Sequence, residues 1–290
     1  MRTLALIGLT VAVLAVTALA SPAVWALTQA LGFHFSFGRT WNRVFEVLLV
    51  VAIVAAWRRL DLGAPGTIGF RRAHAPRDVA TGLAIGLGGI VVGLGFAWLL
   101  GGVAPALRYD PAKTVWKALA GLAAALLVGA GEEALFRGVL LRRLGADLGR
   151  GPGLVLTTAI YAVVHALRPG HEQAGHAAAG LERAAALFAP LGDPTVWPAI
   201  GGLFAFGCVL ALARVRSGAL WLSIGIHAAW VAMFRIGRLF VDMRRRPAWV
   251  MGPGWPPIVG GAAGGVAVVV TLALLLVVLR RRRRGRHAGS

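Results

Sequence analysis

Gly131-Glu132-Glu133-Ala134-Leu135-Phe136-Arg137 is the stretch that decides how this chain is read. Between Ala118 and Leu141 its two carboxylates and one guanidinium are the only charged groups, set in an otherwise apolar segment. An ionised side chain near the centre of a bilayer costs about 2.5–3.5 kcal/mol on insertion scales, so such groups face a bundle interior or a wet cavity and mark function. Glu133 and Arg137 are four residues apart, share a helix face and are expected to pair. Glu132 points about 100° away from them. One acid is then held by the arginine while the other is left for chemistry.

The rest of the chain supplies the membrane setting. Of its 290 residues 58% are hydrophobic, and the mean hydropathy is +0.75. Apolar runs of nearly membrane-spanning length recur throughout, which predicts an all-α, polytopic membrane bundle of about eight helices. The expected spans are a retained first one within Met1–Leu31, then Trp41–Trp57, Val79–Leu100, Thr114–Arg143, Gly153–Leu167, Val196–Ala213, Ala219–Ile236 and Ile258–Leu279. Ala18-Leu19-Ala20 resembles a signal-peptidase site, but the apolar run continues past it. The formal net charge of +19 does not point to nucleic acid, because the basic residues cluster between apolar spans. With eight spans, the termini and the loops on their side hold the larger share of Arg and Lys, which predicts cytoplasmic termini in a bacterial inner membrane. Arg235, Arg238 and Arg244–Arg246 oppose that trend and mark a re-entrant or headgroup-bound segment. The single cysteine, Cys208, excludes an internal disulfide and reads as a packing residue. The chain divides into N-terminal helices (1–113), a core that carries the motifs (114–236), and a basic loop, last helix and basic tail (237–290).

Two histidines fall within the spans, His165 and His227. At a helical rise of about 1.5 Å per residue, Glu132 lies about 16 Å, His165 about 20 Å and His227 about 14 Å from the same membrane face. Three helices thus bring these groups to one level. A carboxylate and an imidazole can activate water as a general base, and a second imidazole can donate to a developing oxyanion. Equally, Glu132, His165 and His227 suit zinc or another divalent metal, with a position left for water. Either route leads to hydrolysis of an acyl bond, most simply a peptide bond near the membrane. His171-Glu172-Gln173-Ala174-Gly175-His176 is one residue too long for a His-Glu-x-x-His helix and reads as a polar loop. Asn42 and Glu46 open the second span, with Glu46 expected to pair with Arg43.

Glu-Glu-x-x-x-Arg, then an aromatic four residues before His165, then His227, resembles the CPBP family of intramembrane endopeptidases. These are the type 2 CAAX prenyl proteases and their bacterial Abi or bacteriocin-processing relatives. The likeness covers roughly residues 115 to 236. It implies an intramembrane protease, of glutamic or metallo type, in which Glu132 and His165 activate water and His227 holds the oxyanion. It also implies supporting roles for Glu133 and Arg137, and a substrate that is a membrane-anchored protein or peptide within the lipid bilayer. The sequence departs from the family pattern twice. Tyr161 stands for the usual Phe, and Val231 stands where the family has Asn or Asp, four residues after His227. Ser223, Trp230 and Asn42 are the candidates to supply the missing donor. The alternative to a protease is a catalytically inactive immunity or peptide-binding protein of the same fold.

Overall fold

The computed structural model describes residues 2–71, 74–167, 175–244, 247–254 and 256–287. The chain falls into two compact units. The first contains residues 1–63 and 167–194, the second 64–166 and 195–290.

In the first unit, α1 (Arg2–Ala30) runs alongside α2 (Phe37–Ala55). Ser36 caps α2 by accepting from the Arg39 amide. The short helix Ala179–Ala185 packs on α1 at Gly180, where a Cβ would come within 1.9 Å of the Ala18 carbonyl. Phe37, Trp41 and Ala179 form the buried cluster, backed by Leu14, Trp25 and Phe45. The Arg183 guanidinium lies over the Trp41 ring at 5.2 Å. Glu46 pairs with Arg43 as expected, on an exposed face.

In the second unit, α3 (Ala75–Leu99) leads through β1 (Val103–Pro105) into α4 (Pro111–Glu133). A π-helical segment, Ala134–Leu140, joins α4 to α5 (Leu141–Leu148), and α6 (Arg150–Ala166) follows. Then come α7 (Trp197–Ser217), α8 (Trp221–Ala232) with a second π-helical segment at Met233–Gly237, β2 (Val241–Met243) and α9 (Ala262–His287). A helix stands at each of the eight places expected for a span. Five of these segments are long and apolar enough to cross a membrane: Arg2–Ala30, Ala75–Leu99, Pro111–Leu148, Pro194–Ser217 and Ala262–Arg284. Large apolar side chains stand outside, with Leu127 77% and Trp116 71% exposed on α4. Lipid is the solvent for such a surface, and this is an integral membrane protein with a helical-bundle fold. The only strands among the described residues are a three-residue ribbon. β1 and β2 run antiparallel with Ala104 opposite Asp242, and Arg108 reaches Asp242 at 2.9 Å. Val241–Met243, in the basic segment after α8, are thereby folded back on the loop before α4, while Arg245 and Arg246 lie outside the described residues.

Small residues allow the closest helix contacts, as is usual where lipid supplies no hydrophobic drive between helices. At the crossing of α3 and α8, a Cβ on Gly82 would lie 2.3 Å from the Leu222 carbonyl, and one on Gly225 would lie 2.2 Å from the Val79 carbonyl. Neither obstacle is a flexible side chain, so Gly225→Ala must separate the two backbones. Its expected cost is about 1–3 kcal/mol from overpacking, read as a lower thermal midpoint in detergent. Gly95→Ala, at an open position on α3, should hold or raise the midpoint. Equal midpoints for Gly225→Ala and the unsubstituted protein would contradict this helix crossing.

Candidate active site

The site is built from α4, α6 and α8 of the second unit, with α7 as a wall. Gly129 sits one turn before Glu133, and its missing side chain lets α8 approach, with the Ala228 amide only 3.2 Å from where a Cβ would be. Glu132 and Glu133 are the last two residues of α4, directly before the π-helical segment. A wider turn of this kind is rare and is found mostly at functional sites. The sequence pattern alone had predicted one continuous α-helix here.

Glu133 is wholly buried and Arg137 is 2% exposed. Arg137 Nη1 donates to Glu133 Oε1 at 2.9 Å, the pairing expected from their spacing. Its Nη2 donates to the Gly207 carbonyl of α7 at 3.2 Å. The guanidinium also lies 4.3 Å from the Tyr161 ring centroid. Tyr161 is itself 1% exposed and meets Phe136 edge-on at 5.2 Å. The aromatic position before His165 thus covers the buried charge with a π face, a cation–π contact whose worth rises when water is excluded.

Glu132 has the other fate. Its side chain is 30% exposed, and its Oε2 lies 2.9 Å from His165 Nε2 and 3.6 Å from His227 Nε2. His165 is 27% exposed in its side chain, whereas that of His227 is 3% exposed. The carboxylate and His165 therefore face accessible space, and His227 backs them from the interior.

The outer nitrogens of both rings are already engaged. His165 Nδ1 is 2.8 Å from the Tyr161 carbonyl, which can only accept. His227 Nδ1 is 2.9 Å from Glu133 Oε1, a carboxylate held by Arg137. Both Nδ1 atoms are accordingly assigned as the N–H donors, by inference from their partners. Both Nε2 atoms then carry a lone pair when the rings are neutral, and both converge on a carboxylate oxygen. Three acceptors this close require a cation between them, either a proton or a metal ion. The Nε2 atoms and the Glu132 carboxylate fit a divalent metal as a donor set, since all three ligand atoms lie within 4.8 Å of one another. Acceptors that fix the far side of each ligating imidazole are the usual outer shell of such a site.

Of the remaining candidates, Ser223 stands beside Glu133, one helix turn before His227. Ser223 is fully buried, and its hydroxyl donates to the Leu220 carbonyl at 2.9 Å, within its own helix. Asn42 belongs to the first unit, where its oxygen accepts from Arg183 at 3.4 Å. Trp230 is 3% exposed and stacks on Phe206 at 4.3 Å, while Phe206 meets His227 edge-on at 6.0 Å. The Trp230 indole N–H has no hydrogen-bond partner among the described residues. Val231 is partly buried. In the polar-loop stretch, His171–Ala174 lies outside the described residues, and His176 is 3.4 Å from Glu182. Two features were not legible beforehand. One is the Glu133–His227 bond, and the other is the part played by Phe206 and the Gly207 carbonyl. Nothing in the sequence near residue 206 signals either.

A helical membrane bundle that gathers one accessible carboxylate and two imidazoles from three helices has the makings of an intramembrane hydrolase. Residues 114–233 match the family model described as Type II CAAX prenyl endopeptidase Rce1-like. Over those residues, less than half of its length, the chain is similar to that family, and the likeness supports a CAAX-type intramembrane endopeptidase with a membrane-associated substrate. No curated protein and no solved structure matches the chain. The matched segment contains Glu132, Glu133, Arg137, Tyr161, His165, Ser223 and His227.

Proposed function

We propose that the chain is an endopeptidase that hydrolyses a peptide bond of a membrane-anchored protein or peptide with water activated at Glu132 and His165. The observation that supports this reading is the convergence of Glu132, His165 and His227 from three helices, at 2.9 and 3.6 Å. Glu132 takes a proton from the attacking water, assisted by His165, and the same proton is later delivered to the leaving amine. His227, when protonated and balanced by Glu133, offers its Nε2–H to the developing oxyanion. The Tyr161 carbonyl and the Glu133 carboxylate hold the two rings in the orientation this requires. If a divalent metal such as zinc is used, Glu132, His165 and His227 would hold it, and it would polarise the carbonyl and acidify bound water. Metal content measured on purified wild type and on Glu132→Ala separates the two routes. One equivalent in the first and none in the second marks the metallo route, and none in either marks the glutamate route.

We place the protein in a bacterial inner membrane with both termini cytoplasmic, from the distribution of its basic residues and the Arg280–Arg284 run. The substrates that suit this setting are small membrane peptides, leaders, or C-terminal anchors cut near their embedded end. A second reading, a peptide-binding or immunity protein without catalysis, draws on Val231 and on the engagement of Ser223 with Leu220. One experiment tests both. Termini of membrane proteins are compared by mass spectrometry between cells carrying wild type and cells carrying Glu132→Ala. A terminus that disappears with the variant supports the protease and identifies its bond. Identical profiles, with the variant still rescuing a phenotype, support the binding protein.

A further inference from the structure

A second group of charges lies at the end of the second unit where α7 finishes and α8 begins. The stretch before α3 is fastened there. Leu220 N–H donates to the Gly69 carbonyl at 3.0 Å, Trp221 Nε1–H donates to the Arg71 carbonyl, and Phe70 meets the Trp221 ring edge-on at 5.4 Å. Gly69 has φ +114°, and a Cβ on it would lie 2.9 Å from Arg214 Nε and 3.1 Å from its Cζ. The Arg214 guanidinium is therefore pressed against the Gly69 backbone. Arg71, two residues further on and held there through its carbonyl, adds a second positive charge near it.

These features are not what ordinary interfacial arginines show. An arginine in the last turn of a helix complements the helix dipole, and a long side chain at a membrane edge carries its head out to water. Arg216, in the same turn of α7, is exposed and fits that description. Arg214 does not. Its Nε is buried and has no hydrogen-bond partner among the described residues. No carboxylate pairs with Arg71 or Arg214 among the described residues either. A buried, unsatisfied donor beside a like charge is costly on two counts, and an anion would relieve both. The guanidinium fork matches phosphate oxygens. The pair also lies at the end of a helix long enough to cross the bilayer, the level at which lipid phosphates stand.

We propose that Arg71 and Arg214 form a binding site for a phosphate-bearing anion, supplied either by an anionic phospholipid headgroup or by free phosphate. The proposal does not depend on the protein being a protease. The test uses the full-length protein in neutral detergent, titrated with phosphatidylglycerol, phosphatidylcholine or inorganic phosphate. The readouts are thermal midpoint and lipid retained in native mass spectrometry. Phosphatidylglycerol is expected to bind saturably and raise the midpoint, and phosphatidylcholine is not. Arg214→Gln should weaken the effect by about tenfold or more, as befits loss of a charge-assisted contact. Arg71→Gln, at an exposed side chain, should weaken it too and carries the test if Arg214→Gln does not fold. Arg216→Gln should bind like wild type. A midpoint rise with inorganic phosphate equal to that with the lipid assigns the site to free phosphate, and a rise with the lipid alone assigns it to the headgroup. Equal binding of phosphatidylglycerol and phosphate by wild type, Arg71→Gln and Arg214→Gln overturns the proposal, as does the absence of saturable binding of either.

Discussion

Glu132→Gln is expected to lower the rate of peptide hydrolysis by about two to four orders of magnitude, the range in which a positioned general base contributes, while the protein stays folded in the membrane. The substitution keeps the shape of the side chain but removes its basicity. The carboxamide still reaches the two Nε2 atoms, so α4, α6 and α8 have no reason to move. Glu132 is also the accessible acid of the pair, with its side chain 30% exposed, and does not hold the buried Arg137. Its loss leaves no charge stranded in the interior. The measurement is turnover of a substrate peptide taken from the disappearing terminus described above, with thermal unfolding as the companion readout. Activity within tenfold of wild type would remove Glu132 from the chemistry and the proposed mechanism with it. The partner experiment is Glu133→Gln, which weakens the acceptor that orients His227. That variant should retain more activity than Glu132→Gln but lose stability.

Arg137→Ala is expected to be the most damaging single change for the fold, at about 3–5 kcal/mol, the cost of breaking a buried ion pair from one side. Glu133, wholly buried, would lose the cation 2.9 Å away and keep the imidazole of His227 as a partner. The Gly207 carbonyl would lose its donor and the Tyr161 ring the charge above it. Replacing both partners, as in Glu133→Gln with Arg137→Met, should recover much of the loss, because no ion is then left alone in the interior. Thermal unfolding of the two variants in one detergent measures the difference. A single variant as stable as wild type would mean that the buried pair carries no structural weight. The double variant should remain poorly active even when stable, because His227 would no longer have a charged acceptor to fix its ring.

Several parts of this arrangement are local properties of the chain. The pairing of Glu133 with Arg137 follows from a spacing of four on a helix, whichever partners the helix later meets. The exclusion of Glu132 from that pair follows from the same periodicity. Helix positions follow from apolar run length, because a backbone in lipid must satisfy its own hydrogen bonds. Even the common level of Glu132, His165 and His227 can be obtained by counting residues from the flanking basic loops. The interior contacts cannot be obtained in this way. The bond from Glu133 to His227 spans 94 positions, and that from Arg137 to Gly207 spans 70. Ser223 shares a helix face with His227, yet only the packed structure shows its hydroxyl engaged by Leu220.

By itself, then, the sequence determined a helical membrane protein, the positions of its helices, and the three side chains proposed to act on a peptide bond. The tertiary structure decided which acid orients which histidine, where the helix widens into a π turn, and that residues 1–63 group with 167–194 in one unit. It also brought Arg214 against Gly69. The physical reason is that periodicity and hydropathy are properties of a segment and fix how that segment sits in lipid. Apolar helices of similar composition offer one another no distinctive partner code. Their pairing depends on where small residues such as Gly82, Gly129 and Gly225 let backbones approach, and that is settled only when the helices pack.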